Sequence, residues 1–151
     1  MSATHLESTL YRTPEEIETL VRRFESCTLP RADWTHRAHL TVALWYLLLH
    51  TWPEAVNLTR AAIKRFNHTH NIHTTPTGGY HETLTLFWLN LVRRYLDDIS
   101  PADTSIVILA NTLILRYGRK DLPLEYYSRE RLFSPEARAG WIEPDLKSLE
   151  E

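Results

Sequence analysis

The chain is short of several things, and each shortage excludes a class of protein. It has one cysteine, Cys27, in 151 residues. A lone cysteine makes no internal disulfide and no cysteine-based zinc site, and it fits a reducing compartment. Glycine is scarce, at four, which suits helices better than a turn-rich β fold. Neither charge sign dominates: 17 Lys and Arg against 19 Asp and Glu leave a net charge of −2. The broad basic footprint of a duplex nucleic-acid binder is therefore missing. Long apolar runs are missing too. The longest, 40–49, is about ten residues and contains Thr41, against the roughly 20 that span a bilayer. The opening MSATHLESTLYRTPEE lacks the basic-then-apolar order of a signal peptide. These shortages together lead us to expect a cytoplasmic protein with no membrane or nucleic-acid partner.

What remains is ordinary globular material with two biases. The apolar fraction is 43% and the charged fraction 24%, enough for one self-sufficient domain over 1–151. Eight histidines and five tryptophans stand out.

Helix signals recur along the chain. Thr13-Pro14-Glu15-Glu16 is a capping box with proline at the first helical position. Ile17, Leu20, Val21 and Phe24 then form one apolar stripe. A second helix starts at Asp33 or Thr35 and runs to about His50. Its middle is apolar on every side, as a central helix requires. Thr51-Trp52-Pro53-Glu54 repeats the capping signature for a third helix, striped by Val56, Thr59, Ile63 and Phe66. Residues 67–79 carry no helical period and form a long loop. Tyr80-His81-Glu82 opens a fourth helix. Ser100-Pro101-Ala102-Asp103 caps a fifth, which Gly118 stops. Short helices are expected at 124–128 and 134–139. The fold class that follows is an all-α, single-domain bundle of about five helices. Its compact body covers 13–118, and an irregular C-terminal extension, 119–151, packs on one end, with Trp141 and Leu146 as anchors.

His36 and His39 are three apart at the start of the second helix, so their rings share a face, roughly 5–6 Å apart at Cβ. Short connections make successive helices antiparallel. The second and fourth helices then run parallel, and His81 joins His36 and His39 at one pole. Helix N-termini disfavour protonated histidine and favour the neutral, metal-ligating form. The same termini attract anions. A three-histidine site with an open position suits Zn²⁺ or Fe²⁺. The expected set is therefore His36, His39 and His81 as metal ligands and Glu82 as acid/base or fourth ligand. Arg138 or Tyr80 would contact a small, anionic substrate. Buried, hydrogen-bonded histidines are the plain alternative. His68, His70 and His73 read as a solvated polar loop with adventitious metal affinity.

The segments Trp34-Thr35-His36-Arg37-Ala38-His39-Leu40, Gly79-Tyr80-His81-Glu82-Thr83 and Ser134-Pro135-Glu136-Ala137-Arg138, with Trp141 and Glu143-Pro144-Asp145-Leu146, resemble an uncharacterised bacterial family of small all-helical proteins. The resemblance runs from about Phe24 to Leu146. It implies no activity. It directs attention to the same histidines and adds Glu82, Arg138 and the tail.

Three functions stay open on the sequence. The first is a metal-dependent enzyme built on the three histidines. The second is a non-enzymatic helical module that binds a small ligand or a protein partner, with Trp141, Pro144 and Leu146 offered to a neighbouring chain, as in a homodimer. The third is a metal-free enzyme with histidine as general base and Glu82 as its orienter.

Overall fold

In the computed structural model of the chain, residues 10–150 are described; the stretch 1–9, read above for a leader, lies outside them. Five long helices form where the capping chemistry places them. Helix α1 (Pro14–Glu25) opens on Thr13, whose hydroxyl accepts the Glu16 amide while the Glu16 carboxylate accepts the Thr13 amide. Helix α2 (His36–Leu49) opens on Thr35 and α3 (Trp52–Thr69) on the Thr51–Glu54 box. Helices α4 (Glu82–Ile99) and α5 (Ile106–Tyr117) follow, and two short helices, α6 (Arg129–Leu132) and α7 (Pro135–Ala139), lie in the tail. Among the described residues there is no strand, only an isolated bridge between Thr75 and Gly78.

α2 is the central element, in contact with α1, α3, α4 and α5. Leu40, Val42, Ala43 and Leu44 are all buried, so almost its whole circumference faces protein. Fully burying each such leucine stabilises the fold by about 1.5–3 kcal/mol before entropy is counted. Phe24, Tyr46 and Phe66 join α1, α2 and α3 on one side. On the other, Phe87 and Leu91 of α4 pack with Tyr127 and Leu132 of the tail.

The starts of α2 and α4 share a pole with the ends of α3 and α5. His36 Nε2 lies 3.4 Å from the Tyr117 carbonyl at the end of α5. Asn67, near the end of α3, borders the same cavity as His36 and His81.

Two local expectations need correction, and a third, the stop at Gly118, holds for a reason of space. Ser100 does not start the fifth helix. It closes α4 in a left-handed conformation (φ 51°), Pro101–Asp103 forms a 3-10 turn, and Ser105 caps α5 by accepting the Ile108 amide. Gly118 ends α5 without a positive φ (−73°); a Cβ there would stand 2.4 Å from the Ile114 carbonyl oxygen, so space demands glycine. Leu146 does not anchor the tail by its side chain, which is 59% exposed; its backbone amide bonds the Tyr126 carbonyl instead. Trp141 does pack, edge-on to Tyr127. Beside the apolar contact with Phe87 and Leu91, Thr83 Oγ1 of α4 donates to the Gly140 carbonyl at 2.7 Å, and within the tail the Tyr127 hydroxyl donates to the Ile142 carbonyl at 2.7 Å. No helix among the described residues is long and apolar enough to cross a membrane.

Candidate functional site

A cavity of about 540 Å³ opens at the histidine pole. Val42, Ala43, Leu89 and Thr59, each 5% exposed or less, make its floor. Trp34, Ile63, Ile72 and Trp88 form its walls, and exposed Lys120 stands at the edge. His36, His39 and His81 all border it. No described Asp or Glu does, which leaves Lys120 as the one formally charged side chain on the lining. The size falls in the usual range for small-molecule sites, about 300–1,000 Å³.

The three imidazoles differ in what they have left to offer. His39 Nδ1 lies 2.7 Å from the Thr35 carbonyl. A carbonyl only accepts, so Nδ1 carries the proton and Nε2 is a bare lone pair. Burial lowers the His39 pKa to about 4, against the opposing pull of that carbonyl, with the nearby His36 adding to the lowering. Its ring is packed against Trp34, centroids 3.8 Å apart, and Trp34 stacks in turn on Phe24 at 4.1 Å. His36 donates from Nε2 toward Tyr117, leaving Nδ1 unprotonated, and its ring rests on Trp88. Burial lowers its pKa as well.

His81 is different. It is the N-cap of α4, a place where Ser, Thr, Asp or Asn is usual. Its Nδ1 accepts the Leu84 amide at 3.1 Å, and its Nε2 donates to the Leu132 carbonyl at 2.7 Å. Both nitrogens are committed inside the protein, and burial lowers its pKa. His81 thus holds helix start and tail together and has no lone pair for a metal. Among the described residues, no group of three or more His, Cys, Asp or Glu is gathered so that it could hold a metal ion. The expected three-histidine centre for Zn²⁺ or Fe²⁺ is not assembled in this arrangement.

The expected acid/base, Glu82, is also committed. It faces a neighbouring groove rather than the cavity. Arg60 grips it through two bonds, Nε to Oε1 at 3.0 Å and Nη2 to Oε2 at 2.5 Å, and the Tyr80 hydroxyl donates to Oε1 at 2.5 Å. Burial would raise its pKa, but the bonds from Arg60 and Tyr80 outweigh it and hold Glu82 ionised. Tyr80 is correspondingly pushed up to about 12, first by burial and then by Glu82. Arg138 is a clamp: its Nη1 lies within 3.3 Å of the carbonyls of Gly78, Gly79 and Tyr80. Gly79 lets the loop pass close over its own backbone at 73–74. Its φ is +86°, and a Cβ would come within 2.6 Å of the His73 carbonyl oxygen. Glu82, Tyr80 and Arg138 therefore build the loop that walls the cavity. His68, in the last turn of α3 and not in the expected loop, and His73 border the groove, while His70, the C-cap of α3, lies on Phe66 with its Nε2 buried and unpartnered.

Thr59, Arg60 and Lys120 were not singled out from the sequence. Thr59 is the informative one. It is 5% exposed, it lines the cavity, and its hydroxyl has no hydrogen-bond partner. A threonine standing in an otherwise apolar stripe between Val56 and Ile63 was the available signal.

No family model, no curated protein and no solved structure matches this chain. The site must be read from its own geometry.

Proposed function

We propose that the cavity is the functional centre and that it binds a small molecule, with His36 and His39 as neutral hydrogen-bonding groups. This is closer to a ligand-binding module than to the metal-dependent enzyme. The observation that carries it is the pairing of two half-buried imidazoles, each with one nitrogen not spent on a backbone carbonyl, on a lining free of carboxylates. Neutral acceptors in an apolar surround bind a donor strongly, because water competes poorly there. Lys120 and the N-terminus of α2 favour an anionic ligand over a cationic one. His39 Nε2, unprotonated while Nδ1 bonds Thr35, would serve as general base for a bound hydroxyl in a second reading, metal-free catalysis. A metal-dependent reading would need His81 to give up one of its two partners, the Leu84 amide or the Leu132 carbonyl.

Benzoate, a small apolar monoanion, is a direct probe. Titrated into isotope-labelled protein, it should shift the resonances of Val42, Ala43, Trp34 and the His39 ring in a saturable way. Ile63→Phe, which fills a wall of the cavity, should remove those shifts while leaving the helical circular dichroism intact. Shifts confined to other parts of the chain would exclude the cavity as the binding site.

A further inference from the structure

Two grooves border the C-terminal tail, and their charges differ. The one along α4 carries Lys147 and two arginines among four carboxylates, so its cations face acids. The other lies between the end of α3, the loop before α4 and α7. It has a volume of about 760 Å³ and is lined by Lys64, His68, His73 and Arg138. Its one described carboxylate, Glu82, is neutralised by Arg60, which bonds both its oxygens. The remaining polar side chains on the lining, Asn67, Asn71, Thr74, Thr75 and Tyr80, carry no charge.

Tyr80 brings the two cations of this groove to one place. Lys64 Nζ stands 4.9 Å from the centre of the Tyr80 ring, and Arg138 Nη1 lies 3.2 Å from the Tyr80 carbonyl oxygen. Neither cation is ion-paired among the described residues, whereas Arg22, Arg60 and Arg119 are. Arg138 spends Nη1 on the loop carbonyls, which leaves Nε and Nη2 as donors. The His73 backbone is held at the same corner, against Gly79, whose carbonyl Arg138 takes at 3.3 Å. Lys64, His68 and His73 are all exposed, so a solute reaches them without any rearrangement. Donors are thus offered from three elements at once: α3, the loop and α7. A carboxylate accepts in one plane, whereas the three free oxygens of a phosphoryl group accept from several sides. Ile72 and Pro135 add apolar surface beside these donors.

From this juxtaposition we infer that the groove is a second binding site, and that it takes a small phosphomonoester. The phosphoryl group lies at Lys64 and Arg138, with His68 and His73 as further donors, and the body of the molecule lies on Ile72 and Pro135. The ligand of the groove is independent of whatever the cavity behind the shared wall of Ile72 and Tyr80 holds.

Phenyl phosphate, inorganic phosphate and benzoate, titrated separately into isotope-labelled protein, test this. The rings of His68 and His73 report on the groove, which they border without bordering the cavity; Val42 and Ala43 report on the cavity alone. Phenyl phosphate should move the two rings saturably. Inorganic phosphate should move them at several-fold weaker affinity, and benzoate should leave them in place where phenyl phosphate saturates. Lys64→Gln should weaken phenyl phosphate about five-fold, the worth of one charge at contact distance in water, with the helical circular dichroism unchanged. Lys147→Gln removes a lysine also set over a tyrosine ring, 5.0 Å from the centre of Tyr126, but in the acid-lined groove, and it should change nothing. If Lys147→Gln weakens binding as much as Lys64→Gln, or neither does, the groove is not the site. If inorganic phosphate binds as tightly as phenyl phosphate, the groove holds an adventitious ion only and the phosphomonoester assignment is wrong. If phenyl phosphate moves Val42 and Ala43 and not the histidine rings, the groove site falls and the reading of the cavity stands. If it moves neither set, the groove site falls as well.

Discussion

Helices α2 and α4 begin at the same pole, and both bring histidine to it, but they use it in opposite ways. At the start of α2, Thr35 does the capping, so His36 and His39 in the first turn each spend only one nitrogen on a backbone carbonyl. At the start of α4 the histidine is itself the cap. His81 spends one nitrogen on Leu84 and the other on the tail. The same side chain in the same dipole field is thus open in one place and structural in the other. Residue type and pole do not decide which; the cap does. A threonine cap frees the imidazoles behind it for a ligand.

Substitutions at the two helix starts should therefore separate widely. His81→Ala removes the α4 cap, strands the Leu132 carbonyl and leaves a void at a residue only 6% exposed. We expect a loss of about 2–4 kcal/mol in urea unfolding. His81→Asn should keep the cap and recover part of that loss. His39→Ala should cost less, about 1–2 kcal/mol, because only one hydrogen bond and a ring contact with Trp34 go. Equal losses at 39 and 81 would break the contrast.

The tail half of the contrast has its own test. Arg138→Met removes the grip on Gly78, Gly79 and Tyr80. It should cost about 1–3 kcal/mol and speed proteolysis within 70–80 before anywhere in the helices. Thr59→Val should act in the other direction, raising the stability of the ligand-free protein by about 1 kcal/mol by removing an unmet polar group.

Acid should act on both helix starts. All three histidines have pKa values lowered by burial, His39 to about 4. An unfolded histidine titrates near 6.5. The fold favours the neutral ring, so this stabilisation is complete above about pH 6.5 and drains away as pH falls toward 4. Urea midpoints should drop over that window, and the drop should shrink in His39→Ala. A flat profile from pH 7 to 4.5 would contradict the burial of these rings.

Much of the bundle was legible because helix starts carry side-chain signatures. Thr13, Thr35 and Thr51 cap where their sequences say they do. The fourth start was located but its chemistry was not. Histidine is not a usual cap, and its second partner is a backbone carbonyl fifty-one residues away, which no residue type announces. Ser100-Pro101 misled for a related reason: the same pair serves as well to end one helix as to begin another. At the site, the meeting of His36, His39 and His81 around one cavity followed from short connections. Their division of labour did not, because it depends on which nitrogen meets which carbonyl. Glu82 looked free in the sequence because Arg60, its partner, lies one helix away.

The sharpest discrimination comes from a long-range ¹H–¹⁵N spectrum of the histidine rings, recorded with and without one equivalent of Zn²⁺. Without metal it should show His39 protonated on Nδ1, and His36 and His81 on Nε2. With metal, the His81 ring should be unmoved. If the rings of His36, His39 and His81 instead shift together at one zinc per chain, the three-histidine centre exists and the division drawn here between an open helix start and a structural one is wrong.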